Sequence, residues 1–311
     1  MPVNVAIVGI SSSVGLVLAA QCDADVHIRT IVGIDVTAPH PLPEKCNYVR
    51  AQPGDDLRSV FQDHKIARAI YLSPFPTGRV AVEPDEEPGL AAFLEAAGAA
   101  SPKAMVVLSG PFAYDASEDG QLCTEGAALR ADQGGFGSKD LVRENAVARF
   151  ARKHKSVAVA ICRLAPVVGP GTEGIASLLL STPKIPTIAG KQPQLQFVHI
   201  DDAGLAAFRL LRARRNGAYN LAPDDTVSLA EVGRCLKRPL QQVSSLKARV
   251  LAGTAEILGM QTLGGINRAL LPLLSRSVRL ANRKLKRDLG YRFKYACNGA
   301  ISDHARRRAT L

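Results

Sequence analysis

Five compact apolar runs punctuate the first half of the chain: VNVAIVG (3–9), IRTIVGID (28–35), ARAIYLS (67–73), AMVVLSG (104–110) and VAVAICRL (157–164). They are continuous in Val, Ile and Leu, without polar–apolar alternation. That pattern predicts strands buried on both faces, as in a parallel sheet covered by helices. Segments 14–21, 56–64, 88–100 and 138–154 between them carry helical patterns. Strand–helix alternation predicts an α/β fold with a doubly wound parallel sheet. After residue 165 Pro and Gly become frequent, in 165–174 and 181–191, and 246–290 reads as helices rich in Leu, Ala, Arg and Lys. The expected organisation is a main domain over 1–165, with 190–225 returning to it, and a smaller, basic C-terminal lobe over 166–311.

Composition narrows the class. A chain of 311 residues with 47% apolar and 22% charged residues is globular rather than disordered. The start, MPVNVAIVGI, has no cationic segment before its apolar run, and no apolar stretch is long enough to span a bilayer. The expectation is a soluble, cytoplasmic protein. Six cysteines at 22, 46, 123, 162, 235 and 297 form no C-x-x-C pair, so they are expected as buried thiols, with no disulfide framework and no metal.

Charge changes the picture further. The net +11 is uneven: residues 1–204 carry −4 and residues 205–311 carry +15. A basic lobe points to an anionic substrate, a membrane surface or nucleic acid. In 268–287, RALLPLLSRSVRLANRKLKR, Leu270, Leu271, Leu273, Leu274, Val278 and Leu280 form an apolar stripe broken at Pro272, with Arg276, Arg279, Arg283, Lys284, Lys286 and Arg287 on the other side. Such a segment is expected either to clamp a phosphate or carboxylate, or to make a peripheral contact with an anionic membrane. Aromatic residues come only at its end and the chain has no Trp, so nucleic-acid readout is not expected.

The strongest local motif is VGISSSVG, residues 8–15, which follows a strand and opens a helix. Gly9 permits the tight turn, Gly15 permits close packing of helix on strand, and the helix start at Ser13 and Val14 offers amides to a pyrophosphate. Asp35, 20 residues past Gly15, suits the ribose hydroxyls of NAD, and no Arg follows it immediately, so NAD is preferred over NADP. Ser12 stands where a middle glycine is usual. Its Cβ crowds a pyrophosphate, while the Ser12 or Ser13 hydroxyl offers a donor to a phosphate oxygen in compensation.

With those residues in view, the chain resembles the extended short-chain dehydrogenase/reductases, the NAD-dependent epimerase/dehydratase group. The landmarks run in order over about residues 3–295. They are the glycine turn, Asp56-Leu57, Ile70-Tyr71-Leu72-Ser73, Val106-Val107-Leu108-Ser109, Arg163 to Gly171, Phe197-Val198-His199-Ile200-Asp201-Asp202, and Tyr219-Asn220-Leu221 followed by Ser228 to Val232. The resemblance implies a Rossmann fold with a smaller C-terminal substrate lobe. It implies a cofactor site of Gly9, Ser12, Ser13, Val14, Gly15, Asp35, Asp56, Leu57, Leu72, Ser73, Lys139 and Pro166. It also implies a homodimer formed through the helix beginning at Ser138.

The resemblance further implies a catalytic Ser or Thr with a Tyr and Lys spaced Y-x-x-x-K. Lys139 matches, but the Tyr position is Gly135. The hydroxyl position, four residues before Tyr114, is Gly110, with Ser109 one residue off register. Lys139, Ser109 and Tyr114 are the candidate catalytic residues, with Asp140 and His199 behind Tyr114 as replacements for the missing Tyr. Asp201 or Asp202 is expected to cap the helix that follows. The implied function is an NAD-dependent oxidoreductase, epimerase or dehydratase of atypical mechanism. Its substrate would be a small hydroxylated or keto metabolite carrying negative charge, such as a nucleotide sugar. The alternative is an NAD-binding regulatory or interaction protein without turnover.

Overall fold

The computed structural model describes residues 1–72, 87–114, 120–130, 136–258, 260 and 262–308. Ser73, Gly134 and Gly135 lie outside the described residues.

Seven strands form one parallel sheet: β1 (Val3–Val8), β2 (Ile28–Asp35), β3 (Cys46–Arg50), β4 (Ile66–Tyr71), β5 (Ala104–Ser109), β6 (Ala158–Leu164) and β7 (Gly217–Leu221). Their spatial order is β7-β6-β5-β4-β1-β2-β3. The chain starts at β1, winds outward to β3, then crosses back to β4 and winds the other way. The carboxyl ends of β1 and β4 thus flank the point where the winding reverses, which is where open α/β sheets hold ligands. All six residues of β5 are buried, as an uninterrupted apolar run requires when helices cover both faces.

Alternate residues of each strand feed two cores. On one face α1 (Ser13–Ala24) and α5 (Ile200–Arg212) cover Val5, Ile7, Val106 and Leu108. They approach closely at Gly204, where a Cβ would come within 2.7 Å of Val17 Cγ1. On the other face α2 (Arg58–Asp63), α3 (Pro88–Ala100) and α4 (Phe136–Lys153) cover Val32, Ala69, Met105 and Val107.

The second lobe has its own core, built on Val168, Leu179, Phe197, Val232, Leu274 and Ile301. The basic segment lies across both cores: Leu270, Leu273 and Leu274 join this one, while Leu280 and Leu285 join the core of the sheet. The segment folds as two short helices, Leu271–Ser275 and Arg283–Leu289, around a strand Arg279–Leu280 that pairs with Leu122–Cys123. Leu270, Leu273, Leu274, Leu280 and Leu285 are buried, so the apolar stripe faces the protein interior. Large apolar side chains that this lobe leaves exposed include Leu246, Val250, Ile257 and Leu258, on and just after the helix Ser245–Ile257. No helix among the described residues is long and apolar enough to cross a membrane.

Two acidic landmarks take different parts from those expected. The N-cap of α5 is His199, whose Nδ1 accepts from the Asp201 amide. The Asp202 carboxylate accepts instead from the amides of Lys294 and Tyr295 and from the Tyr291 hydroxyl. It pins the chain entering the final helix, Cys297–Arg308, rather than capping its own.

Candidate functional site

The glycine turn leads straight off β1. Gly9 has φ +86, and a Cβ on it would lie 2.6 Å from the Leu72 carbonyl oxygen. Only glycine lets the chain leave β1 in this conformation against the end of β4. A Cβ beyond the existing backbone at Gly15 would meet the Ile10 and Gly9 carbonyl oxygens at 2.5 and 2.6 Å, so α1 seats on the turn only with glycine there. Ser12 is the N-cap: its hydroxyl accepts from the Gly15 amide at 3.1 Å and donates to the Gly9 carbonyl at 2.8 Å. Ser13 donates to the Gly171 carbonyl at 2.6 Å. Both hydroxyl protons are therefore engaged within the protein. The amides of Ser13 and Val14 have no partner among the described residues and open the first turn of α1, where backbone N–H groups favour an anion.

Asp35 closes β2 beside this turn. Its Oδ2 accepts from the Ser11 amide at 2.9 Å and its Oδ1 from the Val36 amide at 2.7 Å. Two backbone bonds fix the carboxylate while leaving lone pairs for vicinal hydroxyls. Asp56 is exposed and takes a bidentate bond from Arg58, which holds its carboxyl well below the usual range. Leu57 sends its side chain into the core beside Phe61, Val14 is buried, and Leu72 donates its amide to Val8.

The candidate catalytic hydroxyls lie in a buried charged network. Arg163 on β6 donates to Glu144 on α4 at 2.6 Å and to the Tyr114 hydroxyl at 2.6 Å. Tyr114 in turn donates to Asn220 on β7 at 2.7 Å, and Ser109 donates to Glu144 at 3.0 Å. Burial pushes the Tyr114 phenol up to about 12, against the pull of Arg163. A proton-transfer group at neutral pH needs the opposite shift. Ser109 and Tyr114 thus brace β5, β6, β7 and α4 together, with both hydroxyls partnered inside the protein. His199 is also structural: buried, stacked on Tyr295 at 3.7 Å and within 3.2 Å of Asp303. Because its Nδ1 accepts, the ring proton sits on Nε2 and points at that carboxylate.

Lys139 and Asp140 occupy the first turn of α4, with Lys139 half-buried. Asp140 is buried and Oδ1 pairs with Arg143 at 3.1 Å. Arg143 also binds Glu87 at 2.8 Å, and Glu87 accepts from Tyr71 at 2.9 Å. A groove is lined by Phe112, Pro166, Gln196, Leu273 and Arg276. Pro166 and Arg276 of the basic segment thus line the same groove.

No family model matches the chain. An uncharacterized protein of Mycobacterium tuberculosis, Rv0501, is 26% identical over 324 residues, covering 99% of this chain and 84% of its own length. Among solved structures, a UDP-glucuronic acid 4-epimerase from Bacillus cereus in complex with NAD has a TM-score of 0.77 at 14% identity, over 99% of both chains. A UDP-glucose-4-epimerase from Stenotrophomonas maltophila, with bound NAD and formylated UDP-arabinopyranose, gives 0.75 at 16%, over 99% of this chain and 98% of that one. A dTDP-glucose 4,6-dehydratase from Bacillus anthracis, in complex with NAD, gives 0.74 at 13%, over 99% and 97%. This is the fold of the extended short-chain dehydrogenase/reductases. The likeness in fold spans nearly the whole chain. Sequence reasoning did not single out Glu144, Arg143 or Glu87. For Glu144 and Arg143 the signal was the run SKDLVRE, in which Asp140 and Glu144 share a helical face, and Arg143 lies one turn from Asp140.

Proposed function

We propose that the protein binds NAD and acts as an oxidoreductase, epimerase or dehydratase on a small anionic hydroxylated or keto metabolite, with nucleotide sugars the foremost class. The observation that carries this reading is the glycine turn: a left-handed Gly9 against Leu72, two amides without partners at Ser13 and Val14, and a fixed carboxylate at Asp35. Those groups fit a dinucleotide, with amides for the pyrophosphate and a carboxylate for the adenosine ribose. A 2′-phosphate at Asp35 meets a like charge, which favours NAD over NADP. Proteins of this fold in complex with NAD and with nucleotide-sugar ligands support the class. The nicotinamide, when bound, supplies a hydride acceptor or donor. In this reading Lys139 orients the nicotinamide ribose, Pro166 lines the cofactor side of the groove, and Arg276 offers a cation to the substrate's phosphates. Calorimetric titration with NAD and NADP, after any carried cofactor is removed, tests it. Saturable NAD binding with much weaker NADP binding is expected, and no binding of either overturns the assignment.

A second reading, cofactor binding without turnover, is favoured by the burial of the Ser109 and Tyr114 hydroxyls and by Gly135 at the Tyr position. It predicts that Lys139→Ala weakens NAD binding while no hydride transfer to any nucleotide sugar is detected.

A further inference from the structure

We propose that Asp140 is the group that exchanges a proton with the substrate, its carboxyl occupying the place that a hydroxyl side chain on residue 110 would take. The proposal rests on the NAD reading above. Gly110 follows β5 directly, at the position where the sequence resemblance expects the catalytic hydroxyl. A Cβ built on Gly110 would overlap Asp140 Oδ2 and come within 3.1 Å of its Cγ and Oδ1. No side chain fits at 110 while Asp140 holds this position. The two residues are an exchange: the hydroxyl is gone from the strand end and a carboxyl from the neighbouring helix fills its volume.

The carboxyl is built for proton exchange rather than for holding the fold. Oδ1 is taken by Arg143, but Oδ2 is buried without a hydrogen bond of ordinary geometry. A buried carboxylate oxygen left in this state is costly, and native proteins retain such groups mainly where they serve a function. Backbone hydrogen bonding from Gly110 and Phe112 to the carboxyl favours its charged form. The charged groups that act on it are Arg143 and Glu144, both on α4. Arg143 divides its charge between Asp140 and Glu87, while Arg163 is turned to Glu144. Burial raises its pKa from 3.8 to about 6, with Arg143 pulling the other way and Glu144 adding to the rise, so both protonation states are accessible near neutral pH.

In alcohol oxidation, ionised Asp140 takes the hydroxyl proton as the substrate C–O bond becomes C=O. The electron pair of the C–H bond leaves as hydride to the oxidised nicotinamide. The products are a ketone, a neutral Asp140 carboxyl and reduced cofactor, and in the reverse direction Asp140 returns the proton to the new alkoxide. Lys139, one residue away, keeps its expected place at the ribose, so Asp140 stands in for the proton-transfer part alone.

The test needs no substrate. Oxidised NAD carries a positive nicotinamide and NADH does not, so an ionised Asp140 beside the ring favours NAD⁺ selectively. Binding of NAD⁺ and NADH is measured calorimetrically from pH 5 to pH 8 in the wild type and in Asp140→Asn. The expected result is an NAD⁺ affinity that falls about tenfold as pH drops through about 6, equivalent to one unit of linkage, with NADH affinity flat and the NAD⁺ dependence lost in Asp140→Asn. NAD⁺ affinity that is independent of pH, or a dependence that survives in Asp140→Asn, overturns the role of Asp140 and leaves the cofactor reading standing. No binding of either form overturns both. If Asp140→Asn does not fold, infrared spectra of aspartate-labelled wild type at pH 6 decide. Loss of protonated-carboxyl absorbance on adding NAD⁺ but not NADH is expected, and an unchanged band overturns the proposal.

Discussion

The hydroxyl of Ser13 donates to the carbonyl of Gly171, 2.6 Å away and 158 residues later in the chain. One hydrogen bond thus ties the first turn of α1 to the glycine-rich connection that leads into the second lobe. Gly169, Gly171 and Gly174 all have positive φ, so this connection takes its shape from its glycines. Ser13→Ala removes the tie. Because the bond is exposed, the expected cost in global stability is about 1 kcal/mol or less. Hydrogen exchange measured by mass spectrometry is expected to speed up at 169–174 and stay unchanged in β5 and β6. Equal exchange in both proteins would show that the glycine connection is held by other contacts.

Gly15→Ala puts a methyl group against the backbone carbonyls of Gly9 and Ile10, neither of which can swing away as a side chain could. The turn must shift, taking the Ser13 and Val14 amides with it. The expected outcome is a loss of about 1–3 kcal/mol in urea unfolding, together with NAD binding at least about tenfold weaker. Normal NAD affinity in this variant would sever the glycine turn from cofactor binding.

Glu144 and Arg163 form a buried ion pair with side chains 5% and 6% exposed. Glu144→Gln leaves Arg163 buried without its counter-charge, and the expected destabilisation is about 3–5 kcal/mol. Replacing both residues with Met is expected to recover most of that loss, since the desolvation cost disappears with the charges. Chemical denaturation of the single and double variants checks this; a double variant as unstable as the single would mean that the pair's hydrogen bonds to Ser109 and Tyr114 matter more than its charge.

Asp140 gives the fold a pH dependence of defined sign. Its carboxyl protonates more readily in the folded chain than in the unfolded one, with a pKa raised from 3.8 to about 6 by burial. Between these values the folded state binds more protons, so this group's contribution to stability is full below about pH 4 and is lost as pH rises through about 6. At roughly 1.4 kcal/mol per unit, the loss amounts to as much as about 3 kcal/mol. Asn does not titrate, so the stability of the wild type relative to Asp140→Asn is expected to fall across that window. Urea unfolding of both proteins at successive pH values measures it, and a constant difference counts against the shift.

Much of the sheet was legible in the sequence because its strands are buried on both faces and therefore continuous in Val, Ile and Leu. β3, read as Cys-Asn-Tyr-Val-Arg, escaped because it is the edge strand, half-exposed and mixed in polarity. The apolar stripe of 268–287 was legible as a stripe but not in its direction: a basic helix face looks the same whether its leucines meet lipid or a neighbouring core. The glycine turn announced Gly9 and Gly15, whereas the hydroxyl partners of Ser12 and Ser13 depend on carbonyls whose positions only the fold sets. His199, Asp201 and Asp202 read as a helix start, and local pattern could not show that Asp202 reaches 92 residues ahead to Lys294.

The contact between Gly110 and Asp140 also bears on how this chain's sequence can change. Serine at 110 alone drives a side chain into the Asp140 carboxyl, and removing Asp140 alone takes one carboxylate from Arg143 and opens space beside Gly110. A change at either position is therefore felt at the other, while the paired change is sterically open. Variation at 110 and 140 is expected to be coupled by epistasis.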